Sequence, residues 1–328
     1  MKKPFLLLLL IAAIAFLLPR DAWPQKAEAM HRIGILVPGK PPAPDAPKPP
    51  PSELVRVFQE TLAKQGYVEG KNLTIELRIG EYERLPALAR ELERLKVEVI
   101  WVIGTRAVRI VQEVVKRTPL VMYSCDPFEH VAKLSRPGSN VTGTTCMTTE
   151  LSPKRLELLK ELLPEARRVV FFGDPEDAPL GWRLTREAAP KLGIAIQMVP
   201  YKDRDSIPAA LEKIAKIKPD AVFVYPDVIL GAQARKLAQF WLEHSLPSMN
   251  AFPFFADTGG LMAYGAINAE VGAMMGGQVA KILDGARPGD VPVQRATQFH
   301  LVINLQTAKA LGVKVPQSLR IRADRVIE

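Results

Sequence analysis

From His31 onward, short apolar runs alternate with stretches whose apolar residues recur every three to four positions, and the alternation runs through twice. Apolar runs of strand length between turn signals read as covered strands, and the 3.6-residue spacing reads as amphipathic helix. In the first series, strands are expected at 31–37, 72–79, 97–103 and 120–124. Between them, Ser52 caps a helix carrying Leu54, Val57, Phe58 and Leu62 on one face, Gly66 ends it, and Leu85, Leu88, Leu92 and Leu95 stripe the next. A further helix opens at Thr105. The continuous apolar run 97–103 is the mark of a parallel strand covered on both faces.

The second series places helices at 152–163, 180–192, 206–217 and 228–244 between strands at 168–172, 194–199, 221–225 and 247–252. Two such series predict an α/β protein with two doubly wound parallel-sheet lobes. The tail, with strands at 261–264 and 300–304 and helices at 271–283 and from Gln306, is too small for a third domain. It is expected to complete both sheets and so to cross between them several times. The expected division is 30–145 plus about 266–292 for one lobe, and 146–265 plus about 293–328 for the other. Several crossings make a hinge on which two lobes can close.

The segment before His31 fixes where the chain works. Lys2 and Lys3 precede an apolar run from Phe5 to Leu18, and a polar stretch ends in Ala27-Glu28-Ala29. A charged start, a short apolar core and a small-x-small exit form a secretory signal peptide, here expected at 1–29 with cleavage after Ala29. The run is short of the roughly twenty residues a membrane span needs. The mature protein is therefore expected in the periplasm. Residues 38–51 hold eight prolines and favour extended polyproline conformation, either as a flap over a cleft or as a surface insertion.

Removing 1–29 takes away four positive and two negative charges, lowering the formal net charge from +9 to +7. The remaining charges are spread along helix faces, without the clustered basic stripe that nucleic acid needs. Cys125 and Cys146 are the two cysteines, a candidate disulfide in an oxidising compartment. The four histidines are scattered, and none stands at metal-ligand spacing from the cysteines. There is no nucleophile elbow, phosphate-binding loop or dinucleotide fingerprint. Neither cofactor nor metal is expected, and export joined to a two-lobed plan points to binding rather than turnover.

What recurs is a polar or small residue just past a strand. Gly104, Thr105 and Arg106 follow one strand and open a helix, where exposed N–H groups, a hydroxyl and a guanidinium would hold a carboxylate. Ser124, Cys125 and Asp126 end the next; Asp174, Asp227 and Asn250 stand at the corresponding edge of the second lobe. Taken singly, such strand-end residues are more often helix caps than ligand contacts. Together they outline a cleft in which Asp174 or Asp227 would meet an ammonium and Phe252 or Tyr264 would wall the pocket. Trp182, taken in the loop where the helix near 180–192 begins, and Phe254, also placed in a loop, are the aromatics expected to be free for a ligand.

At these residues the chain resembles the ABC-transporter substrate-binding proteins that include tryptophan- and tyrosine-binding members. The stretches that match are 65–72 (QGYVEGKN), 136–143 (RPGSNVTG), 154–161 (KRLELLKE), 259–265 (GGLMAYG) and 302–309 (VINLQTAK), so the likeness covers nearly the whole mature chain. It implies a type I periplasmic-binding-protein fold with three interlobe crossings, closing on a solute by a hinge. It also implies a membrane permease and its ATPase as partners, with a small-molecule solute and a monomeric binding protein. Arg106 stands where many relatives have a small residue or Pro, which favours a more acidic solute. The same parts would serve a periplasmic ligand sensor for a membrane receptor or kinase, and an exported enzyme using spread-out carboxylates is the third class.

Overall fold

The computed structural model describes residues 30–41, 43, 51–174, 176 and 179–328. The expected signal peptide and most of the proline-rich segment lie outside the described residues. Chain order in the first half is β1 (His31–Pro38), α1 (Glu53–Lys64), β2 (Leu73–Gly80), α2 (Leu85–Arg94), β3 (Val99–Ile103), α3 (Thr105–Val114), β4 (Leu120–Ser124) and β5 (Val141–Thr145). Ser52 caps α1 by accepting the Val55 N–H at 3.5 Å. Then follow α4 (Ser152–Leu162), β6 (Arg168–Phe172), α5 (Pro179–Ala188), β7 (Ala195–Val199), α6 (Ile207–Ile217), β8 (Ala221–Val224), α7 (Val228–Gly231), α8 (Ala234–Glu243) and β9 (Ser248–Asn250). The tail supplies α9 (Phe254–Asp257), β10 (Met262–Ala266), α10 (Asn268–Leu283), β11 (Gln294–Arg295), β12 (Phe299–Asn304), α11 (Leu305–Ala310), α12 (Gln317–Arg322) and β13 (Arg325–Ile327).

Among the described residues the strands form two sheets, ordered β11-β5-β4-β3-β1-β2 and β13-β12-β10-β9-β8-β6-β7. The first is parallel throughout. The second is parallel except where β10 meets β12. The chain passes between the sheets after β5, after β10 and after β11, which makes the three crossings. β11 still pairs with β5 through Gln294 and Arg295, so the second visit to the first lobe runs past the boundary expected at 292.

Each lobe keeps its own core. In the first, α1 and α10 press Phe58, Leu62, Val271 and Met275 onto Ile33, Val99 and Trp101. In the second, α4 sets Leu156 and Leu159 against Phe171, Phe223 and Ile303. Each such large side chain, taken out of water, stabilises by roughly 1.5–3 kcal/mol. A third cluster runs from Leu36, Val102 and Met122 in the first lobe to Phe172, Val224 and Trp241 in the second. The carboxyl ends of both sheets' parallel strands face the seam between the lobes, where open α/β sheets bind ligands.

Candidate functional site

On the first lobe, Gly104 takes φ +101 between β3 and α3, a conformation glycine adopts without strain. That turn presents Thr105, whose hydroxyl oxygen accepts from Ser124 Oγ at 3.1 Å and from the Cys125 N–H at 3.2 Å. Ser124 Oγ is also 3.1 Å from His130 Nε2, and both residues are buried. Burial, with Arg109 adding to it, lowers the His130 imidazole to about 4, so it is neutral at physiological pH. Burial pushes the Asp126 carboxyl up, with the Phe128 N–H pulling the other way.

The second lobe answers with its own strand ends. Asp227 is buried; its Oδ2 accepts from the Tyr201 hydroxyl at 2.7 Å and its Oδ1 from the Ile229 N–H, which makes it the cap of α7. Burial raises its carboxyl above the usual range. Asn250 Oδ1 accepts the Phe252 N–H at 2.8 Å. Phe252 stacks on Phe254 with centroids 5.5 Å apart, and Tyr264 is half-buried beside Phe299. The loop placement of Trp182 and Phe254 does not hold: Trp182 sits in α5 against Phe171, and Phe254 opens α9. Both therefore serve packing first.

Arg106 and Asp174 meet each other. Arg106 Nη1 donates to Asp174 Oδ2 at 2.9 Å, Nε lies 3.4 Å from Glu176 Oε2, and the guanidinium sits 4.1 Å from the Tyr82 ring centroid. Burial holds the Asp174 carboxyl above its usual range, against the pull of the Glu176 N–H and Arg106. The separate roles expected from sequence, Arg106 for an anion and Asp174 for an ammonium, give way to an ion pair across the seam. The preference for an acidic solute drawn from Arg106 loses its footing, because that charge is neutralised within the chain.

The first crossing, 146–151, carries groups that spacing alone did not single out. Thr149 Oγ1 is 2.9 Å from the Tyr225 hydroxyl, joining the crossing to the end of β8. The Tyr225 ring lies against Gly181, where a Cβ would come within 2.2 Å of Cε2. Cys125 and Cys146, at the ends of neighbouring strands, are thiols with Sγ atoms 2.9 Å apart. Burial works to raise Cys146, but hydrogen bonds from Cys125 and Thr148, with Tyr123, bring it down to about 7. Arg155, in the first turn of α4, is fully buried. It donates from Nη2 to Ser152 Oγ at 3.0 Å and to the Thr148 carbonyl, and lies over the Phe223 ring. Its Nε and Nη1 make no hydrogen bond among the described residues. Sequence offered one sign of Arg155, its place in the 154–161 stretch, where it reads as part of a charged helix face.

Residues 49–327 match the family described as ABC transporter substrate binding protein. The chain belongs to that family. Like other family members, it is built as a binding protein. A tyrosine-binding protein of Clostridioides difficile (strain R20291) is 24% identical over 264 residues, covering 78% of this chain and 76% of that protein. The crystal structure of an ABC domain in complex with L-Trp from Streptococcus pneumoniae superposes with a TM-score of 0.79 at 22% identity, covering 91% of this chain and 100% of that one. The ligand-free, open structure of a substrate-binding protein with adhesive properties from Clostridium difficile gives 0.58 at 22% identity, covering 91% and 99%. The two parallel-sheet lobes are those of the type I periplasmic-binding-protein fold. Among the described residues no helix is long and apolar enough to cross a membrane.

Proposed function

We propose that this chain is the extracytoplasmic solute-binding protein of an ABC importer. It captures an amino-acid-like, carboxylate-bearing small molecule between its lobes and presents the closed form to a membrane permease and its ATPase. The observation that carries this reading is that polar groups at the strand ends of both lobes (Thr105, Ser124, Asp174, Asp227 and Asn250) are buried. Arg106 and Asp174 bridge the two sides at 2.9 Å. The chain superposes better on the L-Trp complex than on the open, ligand-free structure, which is in keeping with a closed arrangement of the lobes. The tyrosine- and tryptophan-binding relatives favour an amino acid with an aromatic side chain, with Phe252 and Tyr264 as walls. In this reading the leader is removed after Ala29 and the mature protein acts as a periplasmic monomer.

Mass spectrometry of protein purified under native conditions, followed by calorimetry with the solute it carries, tests the reading. Recovery of one unchanged small molecule, and small-angle scattering that contracts when it is added back, is the expected result. Steady conversion of that molecule to product would overturn it.

A further inference from the structure

We infer that Arg155, at the amino end of α4, is the anchor for a carboxylate of the captured solute. The inference rests on the solute-binding reading above and assigns the site's anion-holding role to a side chain outside the strand-end set. A guanidinium withdrawn from water demands a paired anion or a full set of acceptors. Arg155 has neither: Nη2 is held by Ser152 Oγ and the Thr148 carbonyl, while Nε and Nη1 are buried without an acceptor among the described residues. Glu150, exposed on the same crossing, feels its charge but forms no ion pair with it. Arg106 differs, since Asp174 and Glu176 already answer its charge.

The groups within electrostatic reach of Arg155 place it at the seam. They are Cys125 and Cys146 from the first lobe and Tyr225 and Tyr264 from the second. None of the four is a carboxylate, and the Cys146 sulfur is already engaged by Cys125 and Thr148, so a solute carboxylate would supply the anion that Nε and Nη1 of Arg155 lack. Nε and one Nη of a guanidinium form the fork that receives both oxygens of a carboxylate. Arg155 occupies the first turn of an eleven-residue helix that carries no acidic residue there, and the helix dipole adds to the attraction. The Thr148 and Ser152 contacts tie the guanidinium to the first crossing, so that binding at the fork bears directly on the hinge.

The test compares wild type, Arg155→Met and Arg155→Lys, using L-tyrosine, L-tryptophan and their decarboxylated counterparts tyramine and tryptamine. Calorimetry gives affinity, and thermal melting without ligand gives stability. The expected result is that wild type takes an amino acid and rejects its amine. Arg155→Met should lose about a hundredfold in affinity, and Arg155→Lys an intermediate amount, since an ammonium lacks the fork. Arg155→Met should melt no lower than wild type, because removing an uncompensated buried charge relieves a cost. Equal affinity in wild type and Arg155→Met, or a methionine variant that melts well below wild type, would overturn the anchor and leave the solute-binding reading intact. A wild type that ignores all four compounds while its co-purified solute lacks any anionic group would defeat both.

Discussion

Arg106 Nη1 lies 2.9 Å from Asp174 Oδ2, joining the first turn of α3 in one lobe to the end of β6 in the other. Arg106 Nη1 also reaches the Lys202 carbonyl at 3.3 Å, and Arg109 donates to the Glu176 carbonyl at 3.0 Å. Both charged partners of the main pair are largely withdrawn from solvent, so the contact resists screening better than a surface pair. Separating the lobes must break it.

Replacing Arg106 or Asp174 with alanine is therefore expected to favour the open form. The affinity for any solute should fall about tenfold, or 1.4 kcal/mol, whatever the solute's charge, with most of the change in the dissociation rate. The double variant should be little worse than either single one, giving a coupling on the order of 1–3 kcal/mol in a double-mutant cycle. Stopped-flow binding with an anionic and a neutral solute checks this. A loss confined to the anionic solute, with additive single effects, would mean that Arg106 touches the ligand.

His130 predicts an acid limb in stability. Its folded value of about 4 lies below the ordinary 6.5, so the unfolded chain takes up the proton first. Its stabilisation is present above about 6.5 and is lost as pH falls towards 4, amounting to ~3 kcal/mol. Asp126 and Asp174, raised by burial, act in the opposite sense: their cost is absent below the unfolded carboxylate value and grows as pH rises through their folded values. Urea unfolding at pH 7 and pH 4.5 should show a smaller stability at the lower pH, and His130→Gln should flatten that difference.

How far the sequence could be read follows from which forces are local. β1, β3, α1 and α3 were legible because their apolar spacing and caps lie within the element itself, as with Ser52 ahead of Phe58 and Leu62. β5, whose sequence is VTGTT, has no apolar run; it is a strand because β4 and β11 flank it. β11 and β13, two and three residues long, exist through their neighbours alone. The helix expected over 228–244 breaks into α7 and α8 around Gln233. At the site, the strand-end positions came from topology, which alternation reveals. The pairing of Arg106 with Asp174, 68 residues apart, and the burial of Arg155 depend on how two lobes meet, and no spacing encodes that.

Cys125 and Cys146 should form a bond on oxidation. Ser124 and Thr145 are register partners on β4 and β5, so the two cysteines are the next residues along adjacent strands, and their sulfurs are 2.9 Å apart. Cys125 is the more accessible, and the Cys146 thiol at about 7 is partly thiolate near neutral pH. Attack of the Cys125 thiolate on oxidised glutathione gives a mixed disulfide and releases one glutathione thiolate. Cys146 then displaces the second. Intact-mass measurement should show the loss of two hydrogens, reversed by dithiothreitol and absent in Cys125→Ser. Closing a loop of about twenty residues should add roughly 3 kcal/mol to stability.

Gly181 is predicted to be intolerant of alanine for a reason located in another element. The added Cβ would fall 2.2 Å from Tyr225 Cε2, and the ring cannot yield freely, because its hydroxyl is 2.9 Å from Thr149 Oγ1 on the first crossing. Overpacking at a fully buried ring costs about 1–3 kcal/mol. Tyr225→Phe keeps the ring and gives up the hydrogen bond, at about 1 kcal/mol. Gly181→Ala should therefore be costly in wild type and in Tyr225→Phe, but nearly neutral in Tyr225→Ala, where the space is free. Urea midpoints for wild type, the three single variants and the two double variants decide it: a full Gly181→Ala penalty in the Tyr225→Ala background would place the strain in the α5 backbone instead of the ring.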